Sequence, residues 1–381
     1  MDDRPAAPLR VGLEPGYDAG RVGVWLLDVP GAFGWAASRE RALSQTPSIA
    51  GGLRDWLRDH GEALDLPPFR GVDIVEEVPP TTLDGYERNA TFAADRRPVT
   101  ADDLARVQRW LAYARADLHD VADRVAAYQR VHGPLPAEGD RAERASDEVL
   151  RHLAGAEVWL TSRVDASLRF DGPPRDGDPR RYLDATRAWT VEQLPILVVR
   201  DPAIARTDSK GETWTLAKVL RRLVYHSLDH LRELERRLAR ADGTADRLVV
   251  TLDRRPTVDE LTRLLLAVGW DPRAAHPERL EASTAGSTEV VTAWAGERLV
   301  GHARSLTDHA MSAYISMVIV HPRYQALGVG RRLMERLLDG HDGVRFGLSA
   351  AMGMGEWYGR LGFEPDERAM VRRRREDRPR R

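Results

Sequence analysis

The chain has 381 residues, of which 57 are Lys or Arg and 59 are Asp or Glu, for a formal net charge of −2 at pH 7. That length allows two or three units of roughly 100–200 residues, each able to bury its own core. The near-neutral balance excludes a global signature for binding polyanions such as nucleic acids. No cysteine is present, which rules out disulfides, thiolate metal sites and a cysteine nucleophile, and fits a reducing cytoplasm. With no secretory h-region and no apolar run of about 18 residues, a soluble chain without a membrane span is expected.

Residues 9–90 read as a small α+β unit. Residues 9–14 and 21–28 have strand patterns joined by a Gly/Tyr/Asp turn, Asp28-Val-Pro-Gly31 is a turn, and residues 33–37 return as a short strand. Ser38 is placed to cap a helix with Arg39-Glu40 in its first turn and apolar positions at Ala42, Ile49, Leu53, Trp56 and Leu57. Residues 71–76 alternate as a further strand. This order, with the Asp-Val-Pro-Gly and Ser-Arg-Glu-Arg-Ala-Leu segments, resembles the HicB-like antitoxin fold. The resemblance implies a binding or interaction unit over residues 1–95, with a protein partner as one expectation and a structural appendage as the other. It lacks a basic helix, so nucleic-acid binding does not follow from it.

Residues 98–242 read as a four-helix bundle. Helices are expected over residues 100–130, 146–170, 181–199 and 215–241, separated by Gly/Pro connections such as Gly133-Pro-Leu-Pro136. His226-Ser-Leu-Asp-His230 sets two imidazoles one turn apart on one helix face, where both can reach a single ion. His152 sits inside the second helix. The bundle resembles the DinB-like superfamily, which implies that His152, His226 and His230 bind a divalent metal, zinc or nickel by ligand type. Three neutral imidazoles leave open coordination positions, which suit activation of a water or thiol. The resemblance implies a thiol S-transferase chemistry, with Asp229 and Glu157 as candidate acceptors for ring N–H groups.

Residues 247–381 return to mixed α/β. A strand at 248–252 is followed by a helix at 257–268. A hairpin then joins strands 289–294 and 298–305 across Ala-Gly-Glu, and a further strand covers 313–320. After Pro322 comes a glycine-bearing turn and a helix from about Arg331; a strand at 344–349, a short helix at 355–361 and a closing strand at 367–372 complete the pattern, ahead of a basic tail. Glycines at 328 and 330 let the backbone approach a ligand, and the following helix directs its N–H groups and positive dipole end at it, which suits a pyrophosphate.

Gln325-x-x-Gly328-x-Gly330 after a strand, Leu299-Val-Gly301 after a polar turn, and Trp357-Tyr358-x-x-Leu361-Gly362-Phe363 together resemble the GNAT N-acetyltransferase superfamily. The overall expectation is therefore a multidomain α+β chain ending in an α/β GNAT fold with a mixed sheet. The resemblance implies acetyl-CoA as cofactor, held by Val318, Ile319, Val320, Gln325, Ala326, Leu327, Gly328, Val329, Gly330 and Arg331, with Tyr358 donating a proton to the departing thiolate. An amine must lose a proton to attack a thioester. Glu289, Glu297, His302, Asp308 and His309 are candidate bases on the acceptor side, and His321, just before a proline, reads as a surface residue. The leading expectation is an acetyl-CoA-dependent N-acetyltransferase acting on an amine of open identity. The alternatives are a metal-dependent thiol transferase or hydrolase with an auxiliary acetyltransferase-like domain, and a non-enzymatic acyl-CoA-binding regulator. The sequence leaves the oligomeric state open.

Overall fold

The structure is a computed structural model that describes residues 5–79, 82–83, 86–87, 89–136 and 145–372. In the N-terminal unit, β1 (Ala7–Gly16) turns through the short α1 (Tyr17–Gly20) into β2 (Arg21–Leu26) and β3 (Phe33–Ala36). The helix α2 (Arg39–Asp59) then crosses over to β4 (Phe69–Glu77). The strands lie in the order β3-β2-β1-β4, with β4 parallel to β1 and the other pairs antiparallel. A parallel return needs a long crossover, and α2 supplies it. The Ser38 side chain accepts the Arg41 N–H and so caps α2. A two-residue hairpin, β5 (Thr82–Leu83) with β6 (Tyr86–Glu87), follows.

The bundle contains α3 (Ala101–His132), α4 (Ser146–Thr161), α5 (Pro179–Arg200) and α6 (Leu216–Ala241), with a β7 (Ala205–Thr207) and β8 (Thr213–Thr215) hairpin before α6. Thr100 and Asp103 form a reciprocal capping box at the start of α3. The expected second helix, 146–170, stops at Thr161. The Ser162 hydroxyl turns back to the Val158 carbonyl at 2.7 Å, and Asp165 takes both the backbone N–H and the hydroxyl of Ser167. Such local side-chain bonds compete with helix continuation. Apolar packing is continuous from Val11, Leu13 and Leu53 in the N-terminal unit to Trp110, Leu153 and Leu223 in the bundle. Gly31 is part of this joint: an added Cβ there would lie 2.3 Å from Val224 of α6.

The C-terminal unit begins with α7 (Thr244–Arg247), β9 (Val249–Thr251), α8 (Val258–Ala267), α9 (Asp271–Ala274) and α10 (Pro277–Ala285). It continues with β10 (Glu289–Ala295), β11 (Arg298–Thr307), β12 (Ser312–Val320), α11 (Val329–Leu338), β13 (Arg345–Leu348) and α12 (Gly355–Gly359). The sheet order is β13-β12-β11-β10-β9, parallel only between β12 and β13. One face packs on α11 through Val291, Ala293, Ala303 and Ile315; the other packs on α8 and α10 through Trp294, Leu299, Met317 and Ile319. The expected closing strand at 367–372 is a turn and coil instead. The Asp366 carboxylate takes the Arg368 N–H at 3.0 Å and the Arg345 guanidinium at 2.5 Å, which commits this segment to a local turn. The rest of the basic tail, 373–381, lies outside the described residues.

The N-terminal helix α2 lies directly on the C-terminal unit. A Cβ at Gly51 would meet the Leu266 and Ala267 carbonyls at 2.5 Å, and one at Gly269 would meet the Pro47 carbonyl at 2.1 Å. Beside this contact, His321 is buried rather than at the surface. Its Nδ1 accepts the Arg323 N–H at 3.2 Å, so the ring proton sits on Nε2, which donates to Asp55 at 2.7 Å. Arg298 and Arg58 pair with the same carboxylate. Burial pushes the Asp55 carboxyl up, but His321, Arg298 and Arg58 outweigh it and hold it below the ordinary range. Asp55→Ala strands these donors, and an unfolding titration is expected to show a loss of about 3 kcal/mol in stability.

Candidate functional site

Along β12 the pleat should place Ile315 and Met317 on one face. Ile315 instead packs toward α11 and Met317 toward α8. The break is a bulge: His302 pairs with Ile319 and Arg304 with Ser316, leaving Met317 and Val318 opposite Ala303 alone. Met317 adopts a positive φ of 56°, a region that L-residues rarely occupy. His302 holds it there, with Nδ1 3.3 Å from the Met317 carbonyl.

Beyond Ile315 the strand also loses its neighbour. The β12–β13 pairing runs only from Ser312↔Arg345 to Ile315↔Leu348, whereas β12 continues to Val320. Residues 316–320 therefore present a backbone edge to a gap. An extended ligand can add to such an edge as a strand would. Val318 and Val320 pack on the α11 side, and Ile319 is buried on the opposite face.

The edge runs straight into the glycine turn. The Gln325 amide donates to the Val320 carbonyl at 3.0 Å, Ala326 and Gly328 take positive φ values of 61° and 77°, and Gly328 is the N-cap of α11. No side chain caps this end and no acidic residue lies in the first turn. The N–H groups of Val329, Gly330 and Arg331 thus sit at a helix start with its positive dipole end, a ready anion site. Val329 is buried and anchors the turn, whereas the Arg331 side chain bends away to Glu335 at 2.6 Å. A Cβ at Gly330 would lie 3.2 Å from the Trp357 ring, so the small residue permits that packing. Leu327 packs against the α11-side core. The turn is braced from the bundle: Arg323 pairs with Glu235, and Arg240 donates to the Ala326 carbonyl at 2.7 Å.

Tyr358 lies on α12 beside Trp357, half-buried, and burial raises the pKa of its hydroxyl above 10.0. Four of the five expected base candidates are engaged elsewhere, and the fifth, His309, is exposed. His302 is fully buried and held neutral, its pKa lowered to about 4 chiefly by burial. Asp308 takes the N–H groups of Ala310, Met311 and Ser312, which lower its pKa to about 2. Glu297 is exposed and paired with Arg254 at 2.7 Å. Glu289 bonds Ser305 and His341, each at 2.9 Å, and His309 stacks on His341 at the same edge of the sheet.

Residues 267–374 match the family model described as "Acetyltransferase (GNAT) domain". This segment is a GNAT acetyltransferase domain. The chain is also similar to histone acetyltransferase TAP1 of Glycine max, 32% identical over 144 residues that make up 33% of this chain and 59% of that protein. GCN5-related N-acetyltransferase 2, chloroplastic, of Arabidopsis thaliana is 29% identical over 192 residues, 44% of this chain and 69% of that protein. The probable acetyltransferase TAP2 of Glycine max is 41% identical over 73 residues, so that the alignments span 59% and 29% of the two soybean proteins. Among solved structures, a GNAT-family acetyltransferase from Streptococcus pneumoniae is 25% identical and covers 34% of this chain and 98% of its own, with a TM-score of 0.29.

Outside the GNAT domain, the bundle brings its three histidines together. His226 Nε2 lies 3.2 Å from the Nε2 of both His152 and His230. Around a tetrahedral ion with Zn–N bonds of about 2.0–2.1 Å, nitrogen ligands stand about 3.3 Å apart, so the spacing fits. His230 Nδ1 is 2.9 Å from Glu233, which assigns its proton there and leaves the Nε2 lone pair pointing inward. Glu233 thus accepts a ring N–H as was expected of Glu157. Its i+3 spacing from His230 was a readable signal. Glu157 instead takes Arg115 at 2.9 Å and also Arg187. Met317 and Asp55 carried no comparable sequence signal.

Burial of neutral His302 makes stability pH-dependent. Its native pKa of about 4 lies below the ordinary 6.5, so the unfolded chain binds a proton first as pH falls between those values. The contribution is intact above 6.5 and lost on acidification, by roughly 3 kcal/mol near pH 4. Urea unfolding at about pH 7 and about pH 4 is expected to show this loss in the native protein and not in His302→Gln.

Proposed function

We propose that the chain is an acetyl-CoA-dependent N-acetyltransferase that moves the acetyl group to an amine by direct attack on the thioester. The observation that carries this reading is the unpaired edge of β12 running through a bulge into an uncapped helix start. The pantetheine arm pairs with residues 318–320, and the pyrophosphate lies on the N–H groups of the 325–331 turn. The bulge sets the Val318 N–H toward the gap, where it polarises the thioester carbonyl as its oxyanion forms. Tyr358 is kept protonated by its raised pKa and hands that proton to the CoA sulfur as the C–S bond breaks. With four of the five candidate bases engaged elsewhere and His309 at the exposed edge of the sheet, the ammonium proton leaves through water. The cofactor turn, Trp357 and Tyr358 fill the α11 side, so the amine approaches from the α8 side.

Three units are proposed: a HicB-like domain over 1–95 that binds a partner protein, a DinB-like bundle over 98–242, and the GNAT domain with its tail over 247–381. One relative's name refers to histone, which makes a lysine side chain one acceptor to test. Thermal unfolding with acetyl-CoA at about 100 times its dissociation constant should stabilise the protein by roughly 2.7 kcal/mol, with desulfo-CoA as control. No shift at millimolar acetyl-CoA sinks the proposal. Tyr358→Phe is expected to lower kcat about 100-fold while the acetyl-CoA shift persists.

The convergence of three Nε2 atoms favours a second reading for the bundle, in which His152, His226 and His230 hold a zinc or nickel ion. Inward lone pairs repel one another unless a cation lies between them. Such an ion would supply Lewis-acid activation of a water or thiol. Elemental analysis should find about one metal per native chain and none in His226→Ala; metal-free native protein overturns it.

A further inference from the structure

Arg304 has a setting that folding does not explain. It lies on β11 opposite Ser316, one residue before the bulge of β12. Gly301 and Ala303 face α11, so the alternation turns His302 and Arg304 toward α8 and α10, the side from which the amine arrives. Tyr314 and Ser316 share that face.

A guanidinium has five N–H donors. Among the described residues one of Arg304's donors has a partner, Nη1 donating to Ser287 Oγ at 3.1 Å. Its Nε is shielded from water and has no partner among the described residues. No carboxylate among the described residues pairs with it either; the charged side chain that acts on it most strongly is another cation, Arg273. Burial and Arg273 both disfavour the charged form, so its pKa is lowered. Arg221 and Arg187, by contrast, have the carboxylates of Asp95 and Glu157, while Arg222, whose Nε and Nη1 also lack partners among the described residues, lies over the Trp25 and Tyr225 rings. Two neighbouring cations, one half-buried and lacking an anion, are costly in the unliganded protein. An incoming anion removes that cost. Ser287 is itself fixed by a 2.6 Å bond to the Ser283 carbonyl, so the fork is held in one orientation.

The geometry points to Arg304 as the residue that selects the acceptor: the amine carries a carboxylate or phosphate group, which Arg304 binds while the nitrogen faces the thioester beside the bulge. This rests on the acetyltransferase reading above. Both anions fit a guanidinium fork, through two parallel N–H···O bonds.

The test compares paired amines that differ only in the anion: an amino acid against its amide, phosphoethanolamine against ethanolamine, and an N-acetylated, C-amidated lysine peptide as the acceptor without one. CoA thiol release gives kcat/KM. The native enzyme is expected to prefer the anionic member by about 10- to 100-fold, and the larger ratio identifies carboxylate or phosphate. Arg304→Gln should bring that ratio to within a few-fold of unity without changing the melting shift that acetyl-CoA causes. Arg304→Lys, which keeps the charge but loses the fork, should fall between. A neutral amine or the lysine peptide serving as well as the anionic ones overturns the inference, as does an Arg304→Gln loss equal for both members of a pair. Binding gives a readout independent of turnover. Phosphoethanolamine and inorganic phosphate should raise the melting temperature of the native protein more than that of Arg304→Gln, the turn at 328–331 contributing equally to both; no such difference overturns the inference. Loss of the acetyl-CoA shift alone would strike the transferase reading, and the anion shifts would still decide the role of Arg304.

Discussion

The placement of α2 on the acetyltransferase domain constrains everything that follows. At Gly51 and Gly269 two backbones touch with no room for a side chain, so the helix can sit in one position only. Its buried Asp55 then gathers His321, Arg298 and Arg58. A buried carboxylate is expensive to desolvate and tolerable only when well matched. Two of the three matching groups come from outside α2, Arg298 from β11 and His321 from the start of the turn after β12. The N-terminal unit is thereby joined to the residue that ends the unpaired strand, and its helix acts as a floor for that turn rather than as an appendage.

A second constraint sits in β12. A one-residue bulge in a half-buried strand shifts side chains to the opposite face, and this one has to hold Met317 in a left-handed backbone conformation. Strain of roughly 1–3 kcal/mol persists only where surroundings enforce it. His302 beneath it and the apolar residues of α8 and α10 on Met317 do so. That also explains why His302 is neutral and unsuited to proton abstraction: its burial is what makes it a rigid support.

Much of this architecture was readable in the chain. Period-2 and period-3.6 patterns gave the longer strands and helices but not the β7–β8 hairpin or α10, and Gly328 and Gly330 marked a turn that the structure places at a helix start. The His226–His230 spacing placed two imidazoles on one helix face, and the resemblance added His152, which the structure sets 3.2 Å from His226. What could not be read were features that depend on residues far apart in sequence. His321 looked exposed because nothing near it signals Asp55, 266 positions away. Met317 has ordinary strand character, and its bulge is visible only as a register shift against β11. The second helix of the bundle pattern was overextended at 146–170 because local Asp and Ser bonds end a helix without any glycine or proline.

The helix α6 ties these parts into one arrangement. It carries His226 and His230 near its middle, Glu233 behind them, and then Glu235 and Arg240, which reach Arg323 and the Ala326 carbonyl. From His226 to Arg240 the helix rises roughly 21 Å. Coupling between distant sites requires an element with two arrangements of comparable energy. A long helix buried against α3, α4 and the N-terminal sheet offers one. Its effect on the turn is therefore positional: residues 321–328, with their positive-φ positions, are held by α2 from one side and α6 from the other before any ligand arrives. A turn already ordered costs little further conformational entropy on binding, which gives the two appended units a physical role in the acetyltransferase domain whatever else they bind.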